Sequence, residues 1–119
     1  MKYGLKQETV QNIQCVFSAF PEVEEVILYG SRAKGNFKNA SDIDLTIKGE
    51  NLSLKLINKI SFCLDDLYLP YTFDLSIFNH ISSPDLIEHI QRVGQIFYKK
   101  SEALKEEQII KKEALIKAS

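Results

Sequence analysis

Residues 29–46 read YGSRAKGNFKNASDIDLT, and the fold turns on this stretch. It continues the apolar run Val26-Ile27-Leu28-Tyr29, so Gly30 and Ser31 stand where a strand ends. At the far end polar and apolar residues alternate: Asp42, Asp44 and Thr46 against Ile43, Leu45 and Ile47. Strand side chains point to opposite faces with a period of two. Both carboxylates therefore share one face, and the three aliphatics pack on the other.

Two carboxylates side by side each disfavour the charged form of the other. A cation between them removes the conflict, and hard oxygen ligands suit Mg²⁺. Gly30 has no Cβ and lets backbone approach a ligand closely. A short helix opening at Ser31-Arg32-Ala33-Lys34 would offer free N–H groups and its dipole to an anion. The stretch thus combines a phosphate cradle with a metal-binding carboxylate pair, joined by the irregular, Asn- and Gly-containing loop 35–41. Two commoner motifs fail. A Walker loop needs Lys and then Ser or Thr after its second Gly, and Asn36-Phe37 follow Gly35. An EF-hand loop starting at Asp42 needs Gly and Glu where Ile47 and Ser53 stand.

Working outward, Val10, Ile13, Phe17 and Phe20 recur at helical spacing, which predicts a helix over about 6–19 ending at Pro21. Strands are predicted at 26–29 and 42–48. Leu56, Ile60, Cys63, Leu64 and Leu67 predict a helix over about 52–67, closed by Pro70. Residues 71–78 alternate again: Phe73, Leu75 and Ile77 against Thr72, Asp74 and Ser76. If this third strand lies beside the second, Asp74 joins Asp42 and Asp44. Ser83-Pro84-Asp85 starts a helix, with Ser as N-cap and Pro at the first position. Leu86, Ile87, Ile90 and Val93 give its apolar face, and Gly94 suits its C-terminal cap. A short last strand is expected at 96–98. The Lys-, Glu-, Ala-, Ile- and Leu-rich remainder from Lys99 reads as a charged helix to about Lys117.

The bulk figures fit this reading. A chain of 119 residues makes one domain with a real core. Hydrophobic and charged fractions of 45 % and 26 % are ordinary for a soluble globular protein. A net charge of −1 leaves no basic footprint for nonspecific nucleic-acid binding, so no direct nucleic-acid contact is expected. The N-terminus lacks the apolar core of a signal peptide, and no apolar run approaches the ~20 residues that span a bilayer. Cys15 and Cys63 fall in apolar periodic stretches and read as buried thiols of a reducing cytoplasm rather than as a disulfide. His80 and His89 lack metal-ligand spacing and read as surface or partly packed residues. Tyr29 and Tyr71 read as core, with a ring near the cleft able to stack on a base. Arg32 and Lys34 are candidate phosphate contacts. Ser41 is a loop cap or ligand contact.

Tyr29-Gly30-Ser31, Asp42-Ile43-Asp44-Leu45 and Asp74 resemble the pattern of the nucleotidyltransferase superfamily that includes DNA polymerase β and the aminoglycoside nucleotidyltransferases. The longer form GSRAKG…SDIDL in so short a chain resembles the minimal nucleotidyltransferase (MNT) family, the antitoxin half of HEPN/MNT toxin–antitoxin pairs. The resemblance covers about residues 5–99. Asn36 stands where many members of that family carry an acid, which touches loop contacts rather than the three acids.

The resemblance implies an α+β fold: a small mixed β-sheet packed against helices on one face, in a single domain over 1–99, with 100–119 a charged helix or tail. It implies transfer of AMP from ATP to a hydroxyl. Asp42, Asp44 and Asp74 would hold two Mg²⁺ ions, with Mn²⁺ a possible substitute. Gly30, Ser31, Arg32, Lys34 and Ser41 would contact the nucleotide. Larger relatives carry an extra acceptor-binding domain for which this chain has no room. The acceptor is therefore expected on a protein, a tyrosine of a HEPN ribonuclease toxin, in a homo- or hetero-oligomer. Two other readings stand beside this one: a binding module that acts by occlusion, and a small-molecule adenylyltransferase.

Overall fold

The computed structural model describes residues 1–100. The expected helix beyond Lys100 lies outside the described residues. Among the described residues four helices and four strands come in the order α1 (Gln7–Ser18), β1 (Glu25–Tyr29), α2 (Gly30–Lys34), β2 (Ile43–Lys48), α3 (Leu54–Asp65), β3 (Phe73–Ile77), α4 (Pro84–Val93) and β4 (Gln95–Lys99). A single 3₁₀ turn, Phe78–His80, links β3 to the segment before α4.

The sheet runs β3-β2-β1-β4. β1 pairs antiparallel with both β2 and β4, whereas β2 and β3 are parallel, so the sheet is mixed. Parallel pairing needs a crossover, and α3 supplies it. Alternation along the strands sorts the side chains. Val26, Leu28, Ile43, Leu45 and Ile47 turn to one face and are wholly buried against Ile13 and Phe17 of α1 and Ile60 and Leu64 of α3. This is the main core. Ile27 and Tyr29 turn to the opposite face and meet Ile90 of α4 in a smaller cluster. The expected one-sided packing thus describes α1 and α3, and α4 adds partial cover to the second face. That second face also carries Asp44, Thr46, Asp74 and Ser76.

Helix ends follow from local chemistry. Ser53 and Ser83 cap α3 and α4, accepting hydrogen bonds from the amides of Leu56 at 3.2 Å and Leu86 at 3.3 Å. Gly94 follows α4 as expected, but with φ −59° and ψ 142° it is not in the left-handed conformation. Close approach explains it instead, since a Cβ there would strike the Ile90 carbonyl oxygen and crowd Ile27. Cys15 and Cys63 correct the sequence reading: both are exposed free thiols. The inward stripes of their helices pass through Ile13 and Phe17, and through Ile57, Ile60 and Leu64, which leaves the cysteines outside. Among the described residues no helix is long and apolar enough to cross a membrane.

Candidate active site

The β2–β3 register puts Asp44 opposite Asp74 and Thr46 opposite Ser76. Parallel neighbours in register share a face about 4.8 Å apart. Asp74 therefore stands beside Asp44 on the face away from the main core, as the two alternating patterns require. Asp42 lies one residue before β2 and is exposed, as is Asp74, whereas Asp44 is half-buried. The Asp44 carboxyl is pushed above the usual carboxylate range, first by burial, then by the charges of Asp74 and Asp42. Among the described residues no three His, Cys, Asp or Glu side chains stand close enough to hold a metal ion as they are.

Gly30 forms the bend at the end of β1. Its φ of +75° is a conformation that suits glycine, and a Cβ there would collide with Asp44 Oδ2. The bend and the acid are in contact, and only a hydrogen fits between them. α2 then runs for five residues and closes at Gly35, whose φ of +88° is left-handed as a C-terminal cap demands. Ser31 is half-buried and Lys34 exposed on α2.

Arg32 departs from its expected role as a phosphate contact. It is only 2 % exposed. Its Nε and Nη2 donate to Ser41 O at 3.1 and 2.9 Å, Nη2 also to Asn39 O at 3.2 Å, and Nη1 to Tyr3 O at 2.9 Å. Its guanidinium carbon sits 5.2 Å from the Phe37 ring centroid and 4.9 Å from that of Tyr71. Carbonyl oxygens and aromatic faces thus hold the charge. Arg32 clamps the loop that delivers Asp42 to the N-terminal hook at Tyr3. Ser41 belongs to the same clamp: its hydroxyl accepts from the Lys38 amide at 2.8 Å and its carbonyl from Arg32, so it closes the loop. Tyr71 packs against Arg32 rather than lining an open base pocket.

His89 enters the site unannounced. The Gly30 amide donates to His89 Nε2 at 3.1 Å, and the His89 ring meets Tyr29 edge-on at 6.2 Å between centroids. Tyr29, directly opposite Asp44, is buried, and burial followed by the charges of Asp74 and Asp44 pushes its phenol up. No sequence signal marks His89, because its partner is 59 positions away. His80 stays exposed.

The donors fit a divalent cation by chemistry. Asp44 and Asp74 offer hard oxygens from one face, their mutual repulsion calls for positive charge, and the glycine bend leaves room for backbone to reach a ligand.

Residues 11–103 match the family described as polymerase beta, nucleotidyltransferase. No curated protein matches the chain in sequence. Among solved structures, the chain is similar to a toxin–antitoxin complex crystallised with AMP-PNP, at 16 % identity and a TM-score of 0.61, over 96 % of this chain and 91 % of that one. It is equally similar, with a TM-score of 0.61, to a chain of a tri-AMPylated Shewanella oneidensis HEPN toxin in complex with MNT antitoxin, at 14 % identity over 96 % and 98 % of the two chains. A MntA–HepT toxin–antitoxin structure gives 16 % identity and a TM-score of 0.59, over 92 % of this chain and 89 % of that one. At such identities the likeness is one of fold.

Proposed function

The chain belongs to the polymerase beta nucleotidyltransferase family, and from that premise we propose that it transfers AMP from ATP to a tyrosine hydroxyl of a HEPN-type ribonuclease toxin and so acts as an antitoxin. The observation that carries the reading is the pairing of Asp44 with Asp74 beside the Gly30 bend. The fold likeness to complexes of MNT antitoxin with HEPN toxin, one of them AMPylated, supports the choice of partner.

Asp42, Asp44 and Asp74 would hold Mg²⁺, Asp42 from the entrance of β2. Bound there, the ions would stabilise both the attacking tyrosine oxygen and the leaving pyrophosphate oxygen as the O–Pα bond forms and the bond from Pα to pyrophosphate breaks. Gly30 keeps the backbone low enough for the triphosphate to lie against the bend. Ser31 and the amides that follow it in the first turn of α2 would hold its β- and γ-phosphates, the Gly30 amide being taken by His89 Nε2. Asp74, which is exposed, would face the acceptor, and its carboxylate would help take the proton from the incoming hydroxyl. Lys34 remains a candidate phosphate contact, being exposed on α2. Arg32 and Ser41 support the loop. AMP on a toxin tyrosine adds bulk and negative charge, which would keep RNA from the toxin's own site.

The test is transfer of label from [α-³²P]ATP to a co-purified HEPN protein with Mg²⁺, comparing the wild-type chain with Asp44→Asn and Asp74→Asn. Label on the toxin that both substitutions abolish supports the reading; full transfer by Asp44→Asn refutes it.

A second reading, silencing of the partner by occlusion alone, is favoured by the large apolar side chains left exposed at Leu54, Phe62 and Tyr68. A variant with all three acids replaced by Ala that still neutralises the toxin selects it.

A further inference from the structure

We infer that His89 is a positioning residue of the nucleotide site, holding the Gly30 bend, and through it Asp44, where the nucleotide needs them. The inference rests on the function proposed above. β1 ends at Tyr29, so the Gly30 amide lies just past the last paired residue of the strand. His89 Nε2 takes that amide at 3.1 Å. Nε2 is therefore the unprotonated nitrogen, and the ring proton sits on Nδ1. The ring is steadied edge-on by Tyr29, which faces Asp44 across the strand pair.

Gly30 is held from two sides. His89 grips its amide, and Asp44 Oδ2 lies so close to its Cα that no Cβ fits. A shift of the bend is therefore a shift of the acid. The helix that carries His89 is itself anchored. Its neighbour Ile90 is 3 % exposed and packs on Ile27 and Tyr29, and Ser83 caps the first turn. Mere packing would ask only for the bulk of the ring. Positioning asks for a lone pair, and that difference is measurable.

His89→Leu keeps bulk and removes the acceptor, whereas His89→Gln restores an acceptor oxygen. The readouts are calorimetric binding of AMP-PNP with Mg²⁺, the ¹H–¹⁵N resonance of Gly30, and kcat and KM for ATP. We expect His89→Leu to bind AMP-PNP about tenfold more weakly, the loss of roughly one good hydrogen bond. Its Gly30 amide resonance moves, and KM for ATP rises by a larger factor than kcat falls. His89→Gln recovers most of the affinity. Dispersed spectra of both variants show the fold intact. Unchanged AMP-PNP affinity in His89→Leu, or equal losses in Leu and Gln variants, overturns the inference while leaving the proposed function standing. Failure of the wild-type chain to bind AMP-PNP overturns both.

Discussion

Asp44 is a half-buried carboxylate with two more carboxylates close by, and that environment makes the free site a liability at neutral pH. Its folded pKa is raised, with burial the first cause. A raised carboxyl stabilises the fold fully below its unfolded pKa and loses that contribution as pH rises through the folded value. Asp44→Asn should therefore melt higher than the wild type near pH 7, with the gap closing as the pH falls to the ordinary carboxylate range. Thermal melts across pH check this. Arg32 works the opposite way. Its removal orphans the carbonyl oxygens of Tyr3, Asn39 and Ser41, and each buried unsatisfied group costs about 1–3 kcal/mol. Arg32→Met should lower stability by roughly 2–4 kcal/mol in urea titrations, as some carbonyls regain water. The acids were legible from sequence because a period of two fixes which face each joins. The duty of Arg32 was not, since two of its carbonyl partners come from Tyr3 and Asn39, in irregular segments whose course no periodicity fixes.

At the scale of elements, strand parity positions the chemistry and the helices hold the strands in register. Ile43, Leu45 and Ile47 point into the core, so Asp44 and Thr46 cannot. Leu45→Ala should cost about 2–5 kcal/mol, read from chemical denaturation. Each helix edge contributes less. Ser83→Ala removes the cap of α4 and should cost about 1 kcal/mol. The Ser83-Pro84 start of α4 was plain in the sequence, and so was the third strand with its acid. The face that α4 would cover was not, because Ile27 and Tyr29 sit in a run buried on both sides and show no alternation. The cysteines were misjudged for a related reason. Apolar character alone does not separate a residue on the stripe from one beside it, and Cys15 and Cys63 lie beside it.

Taken whole, the molecule is one sheet with two unlike faces. Among the described residues the first is sealed by α1 and α3, and the second is left partly open around Gly30, Asp44 and Asp74. The open face would suit an acceptor brought by another protein. Cation and nucleotide should stabilise the fold by occupying it: Mg²⁺ with AMP-PNP should raise the melting temperature of the wild type and leave Asp44→Asn nearly unmoved. The most direct measurement is the intact mass of a HEPN toxin co-expressed with this chain, beside the same toxin co-expressed with the Asp44→Asn chain. The proposed chemistry predicts a toxin heavier by whole AMP units with the wild type and of unmodified mass with the variant. An unmodified toxin in both cultures, or identical adducts in both, would contradict it.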